Sequence, residues 1–374
     1  MSNKVKIHRV LGLMSGSSLD GLDLAFCEIE TTRNPDFRVS CSRILQAETL
    51  PFTEQWVRRL RYLPQQNALI FAKTHTYFGH YLADLVKEFC IKYGVKPDFI
   101  ASHGHTIFHE PDNRLTVQIG DGAALAARTG YPVICDFRTH DIALDGEGTP
   151  LAPVADKYLY PGYDFYLNVG GIANISAVIE EKIIAYDIGP ANQILNALAE
   201  LAGKVYDEHG NIAAAGRVIP ELLERVNKTA YFSEIYPKSL DNSWIMQNIW
   251  PLYAEFEASV SDRLCTAVEQ SARSISAEIE RIKEREVLEK EKFRMFATGG
   301  GIRNKFLAER IRVNCPHIEL ILPDDTLIDF KEAALIALMG VLRAENEINC
   351  LSSVTGARYD TIGGAIYQGR KRII

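Results

Sequence analysis

Hydrophobic positions open the chain in three extended runs. KIHRVLGLM (6–14), GLDLAFCEIE (21–30) and FRVSCSRILQAETL (37–50) are rich in β-branched and apolar residues with partial alternation. That pattern predicts strands. Turn-forming residues separate the runs, so an antiparallel meander is expected. The period then lengthens: TEQWVRRLRYL and ALIFAKTHTYFGHYLADLVKEFCIKYG carry apolar residues at helical spacing, with Gly94 near the stop. PDFIASHGHTIFHEP reads as a strand ending in a polar turn, TVQIGDGAALAARTG as strand, turn and helix, and YPVICDFRTHD as a strand ending in charges.

The second half repeats the opening. DFYLNVGG (164–171), NISAVIEE (174–181) and KIIAYDIGP (182–190) make three short strands with a glycine-rich turn after the first, and ANQILNALAELAG follows as a helix. Such a repeat of architecture without identity is how an internally duplicated α/β fold reads. A long helical region is predicted from about Leu252 to Arg281, and its charged tail, EIERIKEREVLEKEK, reads as a solvated face. FRMFATGGGIRNKFLAERIR is strand, triple glycine and helix, and IDFKEAALIALMGVLRAE is a strong late helix. No low-complexity linker divides the chain. The expected lobes are residues 1–138, with 355–374 packing back on them, and residues 139–354.

Composition narrows the classes. The 374 residues suit two domains of ordinary size. A net charge of -7 argues against a broad nucleic-acid surface, though not against a local anion site. No apolar run of membrane-spanning length occurs, so no membrane partner is expected. The N-terminus lacks the apolar stretch of a signal peptide. Seven scattered cysteines, never in CxxC, read as reduced thiols of a cytoplasmic protein.

Candidate chemistry gathers at the ends of the strands. Three glycine-rich turns, SGSSLDG (15–21), NVGGIANIS (168–176) and TGGGIRN (298–304), would let backbone N–H groups approach an anion. Together they point to nucleotide phosphates, with plain tight turns as the alternative. A Walker A motif is absent, and IGDGAALAA (119–127) has Leu125 where a dinucleotide loop needs its third glycine. Asp187 closes a strand just before Gly189 and Pro190, where it suits either a general base or a helix cap. Asp20 and Asp23 flank the first turn and suit a hydrated Mg²⁺, or turn chemistry alone. His103, His105 and His109 could begin a metal site, but no downstream histidine lies in a motif to complete it, so hydrogen bonding to a polar ligand or a structural role is favoured. In DFRTHDIALDGEGTPL (136–151), Arg138 and Asp141 suit binding of a carboxylate or hydroxyls, with a surface loop as the alternative.

Taken in order, GLMSGSSLDGLD (12–23), SHGHT (102–106), QIGDGAALAARTGYPVICDFRTHD (118–141), NVGGIANIS (168–176), DIGPAN (187–192), YDEHGNIAAAG (206–216), PKS (237–239), GGGIRN (299–304) and SVTGARYD (353–360) resemble the 1,6-anhydro-N-acetylmuramic acid kinase family over nearly the whole chain. The resemblance implies the actin, hexokinase and Hsp70-like (ribonuclease H-like) fold: two duplicated α/β lobes around an ATP cleft. It implies a cytoplasmic, dimeric enzyme of cell-wall recycling. Such an enzyme opens the anhydro ring with water and phosphorylates O6 using ATP and Mg²⁺. Carried over by residue, Asp187 is the base. Gly16, Ser17, Ser18, Leu19, Asp20, Gly21, Leu22 and Asp23 form the first nucleotide-binding segment, with Asp20 holding Mg²⁺ through water. Gly170, Gly171, Asn174, Gly299, Gly300, Gly301 and Asn304 complete the nucleotide set. His103, Thr106, Arg138 and Glu332 face the sugar.

The chain departs from the family pattern in places. Ile188 and Ala191 stand in DIGPAN where DTGPGN is usual, DGEGTPL (145–151) adds Asp145 and Glu147, and Asp241-Asn242-Ser243-Trp244 replaces the usual Gly-Arg after PKS. Added carboxylates near the sugar would repel its lactyl carboxylate. Two alternatives therefore accompany the kinase reading. One is an ATP-binding protein of the same fold with another sugar or a regulatory role. The other is a metal-dependent hydrolase built on His103 and His105.

Overall fold

The computed structural model describes residues 5–16, 18–33, 35–179 and 182–370. Among the described residues, twelve strands run in chain order: β1 (Lys6–Ser15), β2 (Gly21–Arg33), β3 (Phe37–Pro51), β4 (Phe99–Glu110), β5 (Leu115–Ile119), β6 (Val133–Cys135), β7 (Phe165–Val169), β8 (Ile172–Ile179), β9 (Lys182–Pro190), β10 (Phe293–Thr298), β11 (Ile318–Ile321) and β12 (Ala365–Tyr367). The helices that matter most are α1 (Ala68–Tyr93), α2 (Gly122–Thr129), α3 (Asn192–Glu200), α4 (Val260–Arg285), α5 (Lys305–Asn314) and α6 (Asp325–Ala344).

Two units result. The first holds residues up to Pro161 together with Asp329 onward, and the second holds Gly162–Ile328. In the first, the sheet order is β12-β6-β4-β1-β2-β3, with β5 paired to β4. β1, β2 and β3 are antiparallel neighbours, whereas β4 runs parallel to β1 and β6 parallel to β4. In the second, the order is β11-β10-β7-β8-β9: again an antiparallel meander, then two parallel strands. The duplication expected from the repeated strand pattern is therefore present in five strands of each sheet, β5 and β12 of the first having no counterpart in the second, and each unit is α/β.

The division falls elsewhere than at the expected residues 138/139 and 354/355. Residues 139–161 and 329–354 belong to the first unit, in part through side-chain bonds that the local sequence does not advertise. Asp141 accepts from Gly148 N and Thr355 Oγ1, both at 2.8 Å, and Cys350 Sγ donates to the carbonyl of Phe137. The chain crosses back within α6, whose backbone presses on β1 so closely that a Cβ on Gly12 would lie 1.9 Å from the Ala333 carbonyl oxygen. β12 then joins the first sheet beside β6.

Local signals set the helix ends. Asn67 Oδ1 accepts from Ile70 N at the start of α1, and Gly94 ends it in the left-handed region at φ 64°. The long helix expected from Leu252 begins only at Val260, because Ser259 caps it by accepting from Asp262 N; a separate short helix, Trp250–Ala254, precedes it. Each unit has its own core. Leu11, Leu13, Leu24, Phe78, Leu82 and Val133 lie in the first; Phe165, Leu167, Ile175, Ile194, Val268 and Ile275 lie in the second.

Candidate functional site

In the first unit, the turn between β1 and β2 is rich in polar groups. Ser17 lies outside the described residues. Around it, Leu19 N donates to Gly16 O at 3.5 Å, and Leu19 takes a positive φ of 60° that tightens the turn. Asp20 Oδ1 accepts from Ser18 Oγ and from Gly21 N at 3.0 Å. Leu22 is a core residue. Gly16 stands in open space: a Cβ there would have only Ser18 Oγ near it, at 3.6 Å, whereas a Cβ on Gly21 would be crowded by Leu50 O. So Gly21 is required by packing, and Gly16 is not.

Asp23 accepts from Thr49 Oγ1. Burial raises its pKa, the Thr49 bond opposes that, and the charges of Asp20, Glu332 and Asp329 raise it further. Glu332, one position before the buried run of α6, thus shares an acidic neighbourhood with the β1–β2 turn.

A second group in this unit joins β4 to the segment after β6. His103 is buried, with Nδ1 on the Gly104 carbonyl at 3.0 Å and Nε2 without a partner among the described residues. Burial, and then the Arg138 guanidinium, push its pKa down to about 3, so it is neutral at pH 7. Ser102 Oγ and Arg138 Nε are likewise buried and without partners there. Burial lowers the pKa of Arg138 and the Glu332 charge raises it. Buried polar atoms without partners are costly unless a ligand or water satisfies them, and those of His103 and Arg138 lie in one neighbourhood. Thr106 Oγ1 accepts from Gln118 Nε2 at 3.4 Å.

Three readings change on this geometry. Asp141 is spent on internal donors at only 1 % exposure, so it faces no ligand. His105 is turned to Ser15 and His103 to Gly104, and among the described residues no three acidic, histidine or cysteine side chains assemble a metal site. Asp145 is paired with Arg114 at 2.7 Å and with Arg358, so its charge is locally balanced, while Glu147 is exposed.

In the second unit, Asp187 lies near the end of β9, half-buried, opposite Asn174 in the β8–β9 register. Ile188 is the extra residue of a bulge there, and both Ile188 and Ala191 pack into the core. These departures from the family pattern are thus core residues. The Asp187 carboxylate accepts from Leu240 N at 2.9 Å through Oδ2. Burial raises its pKa above the ordinary 3.8, and the Leu240 bond lowers it. Its backbone is held as well: Asp187 N donates to Lys238 O at 3.3 Å, and its carbonyl accepts from Tyr231 OH at 2.6 Å.

The glycine turns of this unit divide by use. Gly170 and Gly171 offer carbonyls, not amides, to their neighbour: Ala191, Asn192 and Gln193 N donate to them at 2.8–3.1 Å, which caps the start of α3. Gly299, at φ 86°, and Gly301 are pressed on Val169. Gly300 is exposed, and a Cβ there would meet nothing. Asn304 caps α5 by accepting from Leu307 N at 2.9 Å.

Sequence reasoning missed the support of Asp187. Lys238 and Glu278 form a buried ion pair at 2.8 Å behind it. The available signal was Glu278, a charge at the apolar spacing of Ile275, Ile279 and Ile282 on the inner face of α4.

Known proteins resemble this chain along its length. The family model described as "Anhydro-N-acetylmuramic acid kinase" matches residues 8–369. The anhydro-N-acetylmuramic acid kinase of Sulfurovum sp. (strain NBC37-1) is 33% identical over 376 residues, covering 96% of this chain and 99% of that protein. That of Pasteurella multocida (strain Pm70) is 30% identical over 383 residues, covering 97% of each. Among solved structures, the activator of the 2-hydroxyisocaproyl-CoA dehydratase from Clostridium difficile with bound ADPNP aligns over 90% of this chain and 97% of that one, at 13% identity and a TM-score of 0.41.

Proposed function

This chain belongs to the anhydro-N-acetylmuramic acid kinase family, and we propose that it opens 1,6-anhydro-N-acetylmuramic acid with water and phosphorylates O6 from ATP, giving N-acetylmuramic acid 6-phosphate for cell-wall recycling. The observation that carries the reading is the setting of Asp187. Its carboxylate has one oxygen fixed by Leu240 N, the other without a protein donor among the described residues, and a pKa raised by burial. That is how a general base is held: oriented, and more basic than a free carboxylate.

In this reading Asp187 takes a proton from water as the water oxygen bonds to C1. The C1–O6 bond breaks, and its electron pair stays on O6. O6 then bonds to the γ-phosphorus and ADP leaves. Such chemistry rests on positioning and charge neutralisation more than on covalent help from the protein. Gly16 and Gly300 support nucleotide binding, since each is open where packing demands no glycine. Mg²⁺, when bound, neutralises phosphate charge. The carboxylate oxygens of Asp20 and Asp23 suit that hard cation, and by the family resemblance Asp20 would hold it through water.

The sugar's carboxylate suits Arg138, whose orphaned Nε lies in the neighbourhood of neutral His103. Thr106 and Glu332 complete the sugar-binding set. The added Asp145 is no obstacle while Arg114 and Arg358 hold it. Under the same reading the enzyme works in the cytoplasm as a homodimer; no helix among the described residues is long and apolar enough to cross a membrane.

The test is ATP turnover with and without anhydro-N-acetylmuramic acid in ¹⁸O-water, with the product weighed by mass spectrometry. A 6-phosphate carrying ¹⁸O at C1 is expected. ATP binding with no sugar-dependent product would overturn the reading.

A further inference from the structure

Behind Asp187 lies a buried charge network that the reaction itself does not use. Lys238 Nζ, on a side chain 2 % exposed, donates to Glu278 Oε1 at 2.8 Å and to the Tyr231 carbonyl at 3.3 Å, and lies 4.6 Å from the Tyr231 ring centre. Glu278 also accepts from Arg281 Nη1 at 2.6 Å and, through Oε2, from Tyr186 OH at 3.1 Å. Tyr186 is the residue before Asp187 on β9. The segment 231–240 meanwhile touches Asp187 three times: through Tyr231 OH, the Lys238 carbonyl and the Leu240 amide. The network therefore ties both sides of Asp187, its own strand and the facing segment, to one carboxylate on α4.

We propose that Lys238, anchored by Glu278, is a positioning residue for Asp187: it holds the 237–240 segment so that the Leu240 amide fixes one carboxylate oxygen and leaves the other for water. This rests on Asp187 being the base. Two cations and a phenol around Glu278 satisfy it in a dry interior, where a half-satisfied charge would be costly. The groups facing Asp187 are few. From the 231–240 segment there is the Tyr231 phenol, which burial and then the Asp187 charge keep protonated. From α4, Glu278 accepts from Lys238, Tyr186 and Arg281. The Leu240 bond is thus the contact through which Lys238 acts on the base.

The experiment compares Lys238→Met, Lys238→Met/Glu278→Gln and Asp187→Asn in the full-length enzyme. Lys238→Met should lower kcat about tenfold with KM for ATP and sugar within about twofold. It should also move the acid limb of the kcat profile up by about one pH unit, because the bond that lowers the pKa of Asp187 is lost. The double variant removes the unpaired Glu278 charge, so its melting temperature should recover while kcat and the acid limb do not. Recovery of all three would assign the pair to stability alone and overturn the inference. In ¹⁵N-leucine-labelled wild-type protein, the Leu240 amide shift should titrate in step with the acid limb and stop titrating in Asp187→Asn; a pH-independent Leu240 shift would also overturn it. If Asp187→Asn keeps its turnover, the base assignment fails and this inference falls with it. If Asp187→Asn is inactive while Lys238→Met is unchanged, only the inference fails.

Discussion

Ser15 Oγ and His105 Nδ1 lie 3.0 Å apart where β1 and β4 run parallel, at a shift in their register. The contact fixes the point at which the Gly16 turn leaves the sheet. It also holds a histidine whose pKa burial lowers, with the Ser15 contact opposing.

The pH dependence of stability follows from this histidine and its neighbours. Burial lowers the pKa of His8, His103 and His105 from 6.5, that of His103 to about 3. Between their folded and unfolded values the unfolded chain binds more protons, so stability falls as pH drops below about 6.5. Asp23 and Asp187, whose pKa values are raised, act with the opposite sign just above 3.8 and offset part of the loss. Urea midpoints taken from pH 7 to pH 4 should fall for the wild type and fall less steeply for His103→Gln. Equal slopes would remove His103 from the account.

Gly300 and Gly301 should respond oppositely to alanine. At Gly301 a Cβ would lie 2.4 Å from Val169 Cγ1, so overpacking should cost about 1–3 kcal/mol, read by denaturant melts. Gly300→Ala should leave the melt unchanged and weaken ATP binding by calorimetry, because its open space is where a ligand approaches. Unchanged affinity in Gly300→Ala would detach this loop from the nucleotide.

Gly16→Val makes the same separation in the first unit. The site admits a side chain, so melting temperature should hold while ATP affinity drops. Gly12→Ala, which would drive a Cβ into the Ala333 carbonyl, should instead destabilise without any specific loss of ATP binding in the folded fraction.

Asp187→Asn should bind ATP normally and lose about 10²–10⁴-fold in kcat, the range for removal of a general base. The wild-type acid limb should sit above the ordinary carboxylate value, since burial raises this group. Near-normal turnover in the variant would sink the assignment.

Arg138→Gln should raise KM for the acidic sugar about tenfold or more, as loss of a charge-assisted bond requires, with KM for ATP unchanged. Asp145→Asn is the control. Its charge is already matched by Arg114 and Arg358, so KM for the sugar should stay within about twofold.

The strand meander of each unit was legible because alternation of period two and turn residues are local properties, and β1–β3 and β7–β9 carry both. The unit boundary was not, because the chain crosses inside one continuous helix, α6, and because the segment 139–161 is tied down by partners such as Thr355, more than 200 residues along the chain from Asp141. Ile188 looked like a change at the site and is instead a bulge residue in the core, since a bulge redirects side chains in a way no alternation pattern reveals.

By itself, the sequence determined the repeated elements, the glycine turns at their ends and the acidic residue closing β9, because backbone propensity and side-chain period act over a few residues. Tertiary structure decided which of those glycines are packed and which are open, although Gly299, Gly300 and Gly301 are chemically identical: Val169 at the end of β7 crowds two of them, joined at Gly301 by Asn192, both more than about 100 residues away. It also decided that Lys238 meets Glu278, 40 positions along the chain, behind Asp187. Burial and long-range pairing set the cost of a charge and the orientation of a carboxylate, and both arise only once the chain has packed.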